Sequence, residues 1–411
     1  MPRPADLAAG LAALDATSRR RRRPLVTTPQ GPHLTVDGRD YLAFASNDYL
    51  GLASHPALVA ALQEGAARFG AGAGASHLVS GHLAPHDAAE TALAAFLGRE
   101  AALLFSSGYQ ANVGVIGALV GRGDAVFADR LAHASLLDGC LLSRAEFQRF
   151  RHNDLADLER RLAASTAPAR LIAVDAVYSM DGDEAPLAAL LALAERFDAW
   201  LYVDDAHGFG VLGPQGRGTL ATHGVAPHPR LVQLATFGKA AGLAGAAVAA
   251  DAQVIDWLVN TARTAIFTTA MPPALAHALT AMLALVEPAD AARARLADVL
   301  ASPAEVSAHR VAAVGHSHID SAWLWPLRET VRKVARTTSS MVTLLDEHDD
   351  FIYAMSSAQQ YAWIKEHRPE VYARVKQAVA DGRFVPVGGM WVEADCNVTS
   401  GESMVRQFLH G

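Results

Sequence analysis

A chain of 411 residues, 51% hydrophobic and 19% charged, is long enough to bury a sizeable core and to form two or three domains. A formal net charge of −7 speaks against a general nucleic-acid binder, and no window is apolar for long enough to span a membrane. Cys140 and Cys396 are the two cysteines, too few and too far apart for a disulfide framework, and MPRPADLAAG lacks the apolar core of a signal peptide, so a cytoplasmic chain is expected.

The first predicted element is an amphipathic helix over 4–22, whose end runs into five arginines, Arg19 to Arg23. Such a run is usually a solvated helix end and sometimes an anion site. HLTVDGRDYLAF (33–44) reads as a β-hairpin with Asp37-Gly38 at its turn. A polar turn, SNDYLGL (46–52), leads to a helix from His55 to about Phe69. Gly70 to Ala75 alternates glycine and alanine, so a loop is expected where backbone comes close to something.

Beyond Pro85, helices alternate with short apolar runs. AALLF (101–105) is a buried strand, and Ser106-Ser107-Gly108-Tyr109-Gln110 turns it into a helix reaching about Val120. Free N–H groups and the helix dipole at such a turn suit a phosphate. Further strands are expected at 124–128, 170–176, 199–205, 230–236 and 244–250, with a helix from Ala185 to Phe197 between two of them. This alternation argues a mostly parallel sheet covered on both faces, with ligands at the carboxyl ends of its strands. His133, Ser179 and Lys239 fall beyond such ends, and Asp204 and His207 mark the end of 199–205.

Lys239 is the sole lysine before Arg332 in a region that otherwise uses arginine. Lysine can lose its proton and form an imine, whereas arginine cannot. The alternative is a surface lysine left by drift in an arginine-biased genome. Asp204 reads equally as a strand-end turn acid, and His133 as a helix-start histidine. Taken together with a phosphate cradle at Gly108, the set matches the needs of pyridoxal phosphate: an amine, a carboxylate for the pyridinium nitrogen and a histidine against the ring.

SNDYLGL (46–52), SHLVSGH (76–82), LLFSSGYQAN (103–112), DRLAHASLLDG (129–139), VYSMDGD (177–183), VDDAHGFG (203–210) and TFGKAAG (236–242) occur in this order. With them, residues 1 to about 300 resemble the α-oxoamine synthase family of fold-type I pyridoxal-phosphate enzymes. The resemblance implies a Schiff-base Lys239 that also moves a substrate proton, Asp204 on the ring nitrogen, His207 on the ring hydroxyl side and His133 stacked on the ring. It also implies cofactor contacts from Gly108, Tyr109, Ser179 and Thr236. Thr268 would reach the phosphate of a partner subunit, which implies a homodimer. The implied reaction is decarboxylative condensation of L-alanine with a pimeloyl thioester, carried by coenzyme A or a carrier protein, in biotin biosynthesis. The stretch 77–81 favours alanine-using members over those that use glycine. Arg21 is assigned to the acyl substrate. Asp175 is a departure, since the family usually has glutamate there, and a shorter acid is expected to alter a contact near the cofactor.

The resemblance stops near residue 300. HRVAAVG (309–315) reads as a new buried strand ending in His316, His318 and Asp320, which would share one face in extended backbone, a spacing suited to a divalent metal. Histidines capping a metal-free strand fit that spacing equally. GHSHIDSAWLWPLRETVRKVAR (315–336), AMSSAQQYAWIKEHRPE (354–370) and GRFVPVGGMWVEADCNVTSGES (382–403) resemble the zinc-dependent retaining α-mannosidases of glycoside hydrolase family 38. That resemblance makes His318 and Asp320 zinc ligands, and Asp395 the nucleophile and a further ligand. The family's acid/base carboxylate and remaining histidine lie further along than Gly411.

The expected organisation is α/β throughout. An N-terminal helix and hairpin segment (1–45) precedes a fold-type I pyridoxal-phosphate transferase large domain (46–302) without the family's C-terminal small domain. A partial α/β glycosidase domain (303–411) follows and packs separately or loosely. Three readings stand: a pyridoxal-phosphate acyltransferase, a zinc-dependent mannosidase fragment, and an inactive hybrid from a misassembled or constructed gene. The first is preferred, because its cofactor motifs are complete and span most of the chain.

Overall fold

The computed structural model describes residues 6–17, 19–301, 315–316, 327–348 and 351–387. The chain divides into two compact units, Met1–Ala301 and Ser302–Gly411. Among the described residues, no helix is long and apolar enough to cross a membrane.

In the first unit, β1 (His33–Val36) and β2 (Arg39–Leu42) form the expected hairpin. Asp37 (φ 50°) and Gly38 (φ 77°) supply the two left-handed residues of its tight turn. The main strands are β3 (Ala101–Phe105), β4 (Ala125–Asp129), β5 (Glu146–Phe150), β6 (Arg170–Asp175), β7 (Ala199–Asp204), β8 (Leu231–Thr236) and β9 (Ala246–Ala250). They form one sheet in the order β3-β9-β8-β7-β6-β4-β5. β9 runs antiparallel to both neighbours, and every other pair is parallel.

Side chains alternate across this sheet with period two. Phe127, Ile172, Leu201 and Val203 pack with Leu158, Leu162, Leu187 and Leu190 of helices Leu155–Ala164 and Leu187–Arg196. Val126, Leu171, Tyr202 and Val232 face the other way, toward Val115, Ile116 and Leu136 of helices Gly108–Leu119 and Ala134–Ser143. Burial on both faces explains why these strands read as continuous apolar runs. β5 escaped the sequence reading because it is an edge strand, and EFQRF carries the charges that protect edges.

Two expectations are corrected. The helix over 4–22 is confined to Leu7–Ala16 and buries nothing. Alanines and Gly10 fill the positions between Leu7, Leu11 and Leu14, so the helix is apolar nearly all round and has no polar face to orient it. It stops at Thr17, whose hydroxyl and N–H both donate to the Ala13 carbonyl. The arginines beyond are not helical, although Arg20 pairs with Asp15 at 2.6 Å. The second correction, to the glycine–alanine loop, is partial: Ala75 O does come close to other backbone, accepting from Ala270 N–H at 3.0 Å, but the glycines do not. A Cβ on Gly70, Gly72 or Gly74 would meet nothing within 4 Å. What Gly70 and Gly74 provide is backbone at φ 84° and 74°.

Gly65 is where a missing side chain does permit close approach. A Cβ there would lie 2.8 Å from Ala274 Cα and 3.0 Å from His277 Cβ, where helix Pro56–Phe69 crosses helix Pro273–Val286. Gly65→Ala gains helix propensity of up to ~1 kcal/mol but suffers overpacking of about 1–3 kcal/mol against backbone that cannot yield. The expected outcome is a lower urea midpoint with an unchanged slope. An unchanged or higher midpoint would show that the two helices part freely.

In the second unit, β10 (Gly315–His316), β11 (Tyr353–Met355) and β12 (Phe384–Pro386) form a parallel sheet in that order. Helices Leu327–Glu347, Ala358–His367 and Pro369–Ala380 supply the crossover segments. Val334, Val342, Leu345, Tyr353, Ile364, Val375 and Phe384 make an apolar core of its own. His318, Asp320 and Asp395 lie outside the described residues.

Candidate active site

The carboxyl ends of the first unit's central strands open into a cavity of about 400 Å³. Each strand delivers a polar group to it. After β3, Ser107 caps helix Gly108–Leu119 by accepting from Gln110 N–H, and the helix N-terminus faces the cavity. A Cβ on Gly108 would meet Thr236 Cγ2 at 2.6 Å, so a side chain there would force Thr236 to move. After β4, His133 caps helix Ala134–Ser143. β6 and β7 end on Asp175 and Asp204, which are register partners. β8 ends on Thr236, three residues before Lys239.

Hydrogen bonds join these groups. The Lys239 Nζ lies 2.9 Å from His207 Nε2, and His207 Nδ1 lies 2.8 Å from the Tyr49 hydroxyl. Asp204 accepts from Asn112 Nδ2 at 2.8 Å and from Ala206 N–H at 3.0 Å. Asn112 Nδ2 also donates to Ser135 Oγ, which is 2.7 Å from His133 Nδ1. Asp175 accepts from His133 N–H at 2.8 Å.

Burial lowers the pKa of Lys239, and the charges of Asp204 and Asp175 only partly oppose it. Burial, Lys239 and His133 push His207 down to about 4, so its ring is neutral at physiological pH. Burial, then the charge of Asp204, pushes Asp175 up. The result is a desolvated amine, a neutral imidazole and two adjacent carboxyl groups in one cavity.

Residues 39–302 match the family model for aminotransferase class I and II. 8-Amino-7-oxononanoate synthase of Chromobacterium violaceum is 66% identical over 295 residues, which cover 72% of this chain and 76% of that protein. Its counterpart in Aromatoleum aromaticum is 63% identical over the same shares. The chain belongs to the α-oxoamine synthase family of pyridoxal-phosphate-dependent transferases. Solved structures agree: the serine palmitoyltransferase of S. paucimobilis, with a bound PLP–myriocin aldimine, matches with a TM-score of 0.65 at 32% identity over 70% of this chain and 73% of that one. The 8-amino-7-oxononanoate synthase of Francisella tularensis gives 0.54 at 31% identity over 61% and 71%. Residues 308–411 match a different model, the glycosyl hydrolases family 38 N-terminal domain.

In this synthase unit, Lys239, Asp204, His207, His133, Gly108, Tyr109 and Thr236 all line the cavity. Tyr109 directs its hydroxyl away, to Asp138 Oδ2 at 2.5 Å. Arg21, Ser179 and Thr268 are not among the lining residues. Arg21 is exposed, in the non-helical stretch before the hairpin. Ser179 is exposed in a turn closed by Tyr178 N–H to Asp183 O and Gly182 N–H to Tyr178 O. Thr268 follows the short helix Arg263–Ile266.

Sequence reasoning gave no role to Asn47, Tyr49, Asn112 or Ser135. Asn112 was detectable, since it lies four residues after Gly108 and so on the same helix face, one turn along. Asn112 Oδ1 and Thr236 Oγ1 are buried with no hydrogen-bond partner among the described residues. Unpaired buried acceptors and donors beside a glycine cradle and a helix N-terminus fit a polar, phosphorylated pyridoxal group.

His77, His82 and His86 bring ring nitrogens within 4.8 Å of one another. His86 is nonetheless committed on both sides. Its Nδ1 accepts from Leu83 N–H and its Nε2 lies 2.8 Å from Met271 O, so it pins a helix start rather than offering a ligand.

Outside the cavity, His152 bridges two carboxylates. Its Nδ1 lies 2.9 Å from Asp129 and its Nε2 2.6 Å from Asp183, so both nitrogens face carboxylates and the imidazolium is favoured. This ties the end of β4 to the turn after β6. Burial pulls the His152 pKa down, but the hydrogen bonds to Asp129 and Asp183 reverse this and leave it raised. A raised folded pKa gives stability that is full below the unfolded value of about 6.5 and is lost as pH rises through the folded one. Stability toward urea is therefore expected to decline above about pH 6.5, with a shallower decline in His152→Gln. Identical pH slopes for the two chains would show that the clamp carries no proton.

Proposed function

We propose that the synthase unit binds pyridoxal phosphate and condenses L-alanine with a pimeloyl thioester, releasing carbon dioxide, as in biotin biosynthesis. The observation that carries this reading is the convergence of Lys239, His207 and Asp204 in one cavity, with the lysine pKa lowered by burial. When bound, the cofactor supplies a carbonyl for the amine and an electron sink for the carbon that loses carboxylate.

The chain's own groups do the rest. Lys239, short of solvation, reaches its neutral form readily and acts as nucleophile and then as proton carrier. Asp204 is held as an acceptor by Asn112 and Ala206 N–H, which keeps a carboxylate available to a ring N–H. Ser107 and Gly108 present the helix N-terminus to a phosphate. His133, anchored by Ser135, forms a flat wall. Thr268, outside the cavity of its own chain, is assigned to the phosphate in a homodimer partner, and Arg21 to the acyl substrate. For the second unit the family 38 match supports descent from a zinc-dependent glycosidase, with His318, Asp320 and Asp395 as its metal-site residues.

Adding pyridoxal phosphate to the purified chain is expected to give a visible absorbance band that Lys239→Ala lacks. Release of labelled carbon dioxide from carboxyl-labelled L-alanine with pimeloyl-coenzyme A should fall in that variant by roughly 10²-fold or more, as for loss of a general acid–base group. A folded wild-type chain without the band refutes the cofactor reading. A band without labelled carbon dioxide refutes the substrate pair.

A further inference from the structure

Lys239 ends a hydrogen-bonded chain that reaches the mouth of the cavity. Lys239 Nζ lies 2.9 Å from His207 Nε2, His207 Nδ1 lies 2.8 Å from the Tyr49 hydroxyl, and that hydroxyl donates to Asn47 Oδ1 at 3.2 Å. Asn47 lines the cavity and Tyr49 does not. Tyr49 therefore acts only through His207, as a positioning residue.

The chain can be polarised in two ways. His207 is neutral at physiological pH and carries one ring proton. The Tyr49 hydroxyl also has one proton, with two acceptors to choose from. If it donates to His207 Nδ1, the ring proton sits on Nε2 and points at Lys239. An ammonium has no lone pair to receive it, so two donors would face each other. A neutral amine could receive it only by giving up the lone pair a nucleophile needs, and Asn47 Oδ1 would lose its donor. If Tyr49 donates to Asn47, every group is satisfied: His207 Nδ1–H donates to the Tyr49 oxygen, and Nε2 accepts from Lys239 whether or not the amine is protonated.

We propose that Tyr49, backed by Asn47, holds His207 in the tautomer protonated at Nδ1, so that Nε2 only accepts from Lys239 and the amine keeps its lone pair free for a carbonyl. The other titratable groups facing this chain are His133 beside His207, and Asp204 and Asp175 beside Lys239. None of them contacts Nδ1, so Tyr49 is the group that acts on that nitrogen, as Lys239 acts on Nε2. The consequence for catalysis rests on the cofactor reading above, whereas the tautomer belongs to the cofactor-free chain.

The test is a nitrogen-15 spectrum of the full chain labelled at histidine and free of cofactor, with the His207 signal identified by its loss in His207→Gln. Wild type is expected to show a protonated Nδ1 and a bare Nε2. Tyr49→Phe leaves Nδ1–H without its acceptor and is expected to raise the fraction protonated at Nε2. Its Lys239-dependent reaction with pyridoxal phosphate should slow by about tenfold at neutral pH, the scale of one net hydrogen bond, while the final absorbance stays the same. Should Tyr49→Phe not fold, Asn47→Leu removes the acceptor, frees the hydroxyl to turn, and is expected to shift the tautomer likewise. A wild-type His207 protonated at Nε2, or a tautomer that neither variant changes, overturns the proposal. Failure of wild type to form the visible band refutes the cofactor reading instead, and the spectrum still decides the tautomer.

Discussion

Two carboxyl groups set as register partners at the end of a buried parallel sheet are the constraint around which the synthase unit is built. Asp175 and Asp204 are both buried, on adjacent strands, where like charges in low dielectric are costly. The surrounding sequence answers that cost group by group. Asn112 and Ala206 N–H hold Asp204, while His133 N–H meets Asp175. Desolvation and its neighbour push Asp175 toward the protonated form, which leaves one full charge for the pair to stabilise. The three strand-end loops and the helix bearing Asn112 are thus tied together by the need to satisfy two acids.

Behind that pair, a third buried acid fixes the loop that carries His207. Asp205 accepts from Thr219 N–H, Thr219 Oγ1 and Gln233 Nε2. A Cβ on Gly208 or Gly218 would come within 2.1 Å of its carboxylate, so both glycines are required for the loop to close on it. Burial pushes Asp205 up to about 7 despite those three donors. The group therefore serves the loop rather than the chemistry. Adjacent acids in one sequence motif, Asp204 and Asp205, take opposite sides of the strand and opposite roles.

The parts of this arrangement that were legible in the sequence are those fixed by period and by strand ends. Continuous apolar runs announced the parallel strands, and polar residues just past them announced Asp204, His207, His133 and Lys239. β5 was not legible, because a charged edge strand lacks the apolar run. The helix over 7–16 was overextended because leucines at helical spacing among alanines imitate an amphipathic stripe that has no core to meet. Asn112 and Tyr49 act through hydrogen bonds across 92 and 158 residues of sequence. No local pattern encodes such separations. In the second unit the parallel strands and their helices form a core, whereas the three residues that the sequence reading assigned to a metal fall outside the described segments.

The use of one lysine in an arginine-biased chain acquires a physical reason from this geometry. Arginine beside Asp204 and Asp175 would remain an ion pair under any accessible condition. Lysine at the same place is subject to two opposed influences: burial lowers its pKa, and the carboxylates raise it. Burial wins here. Asp175 therefore bears on more than a contact. The side chain that meets His133 N–H also sets how much negative charge Lys239 sees, so the length of that acid and the reactivity of the amine are coupled through the same buried pair.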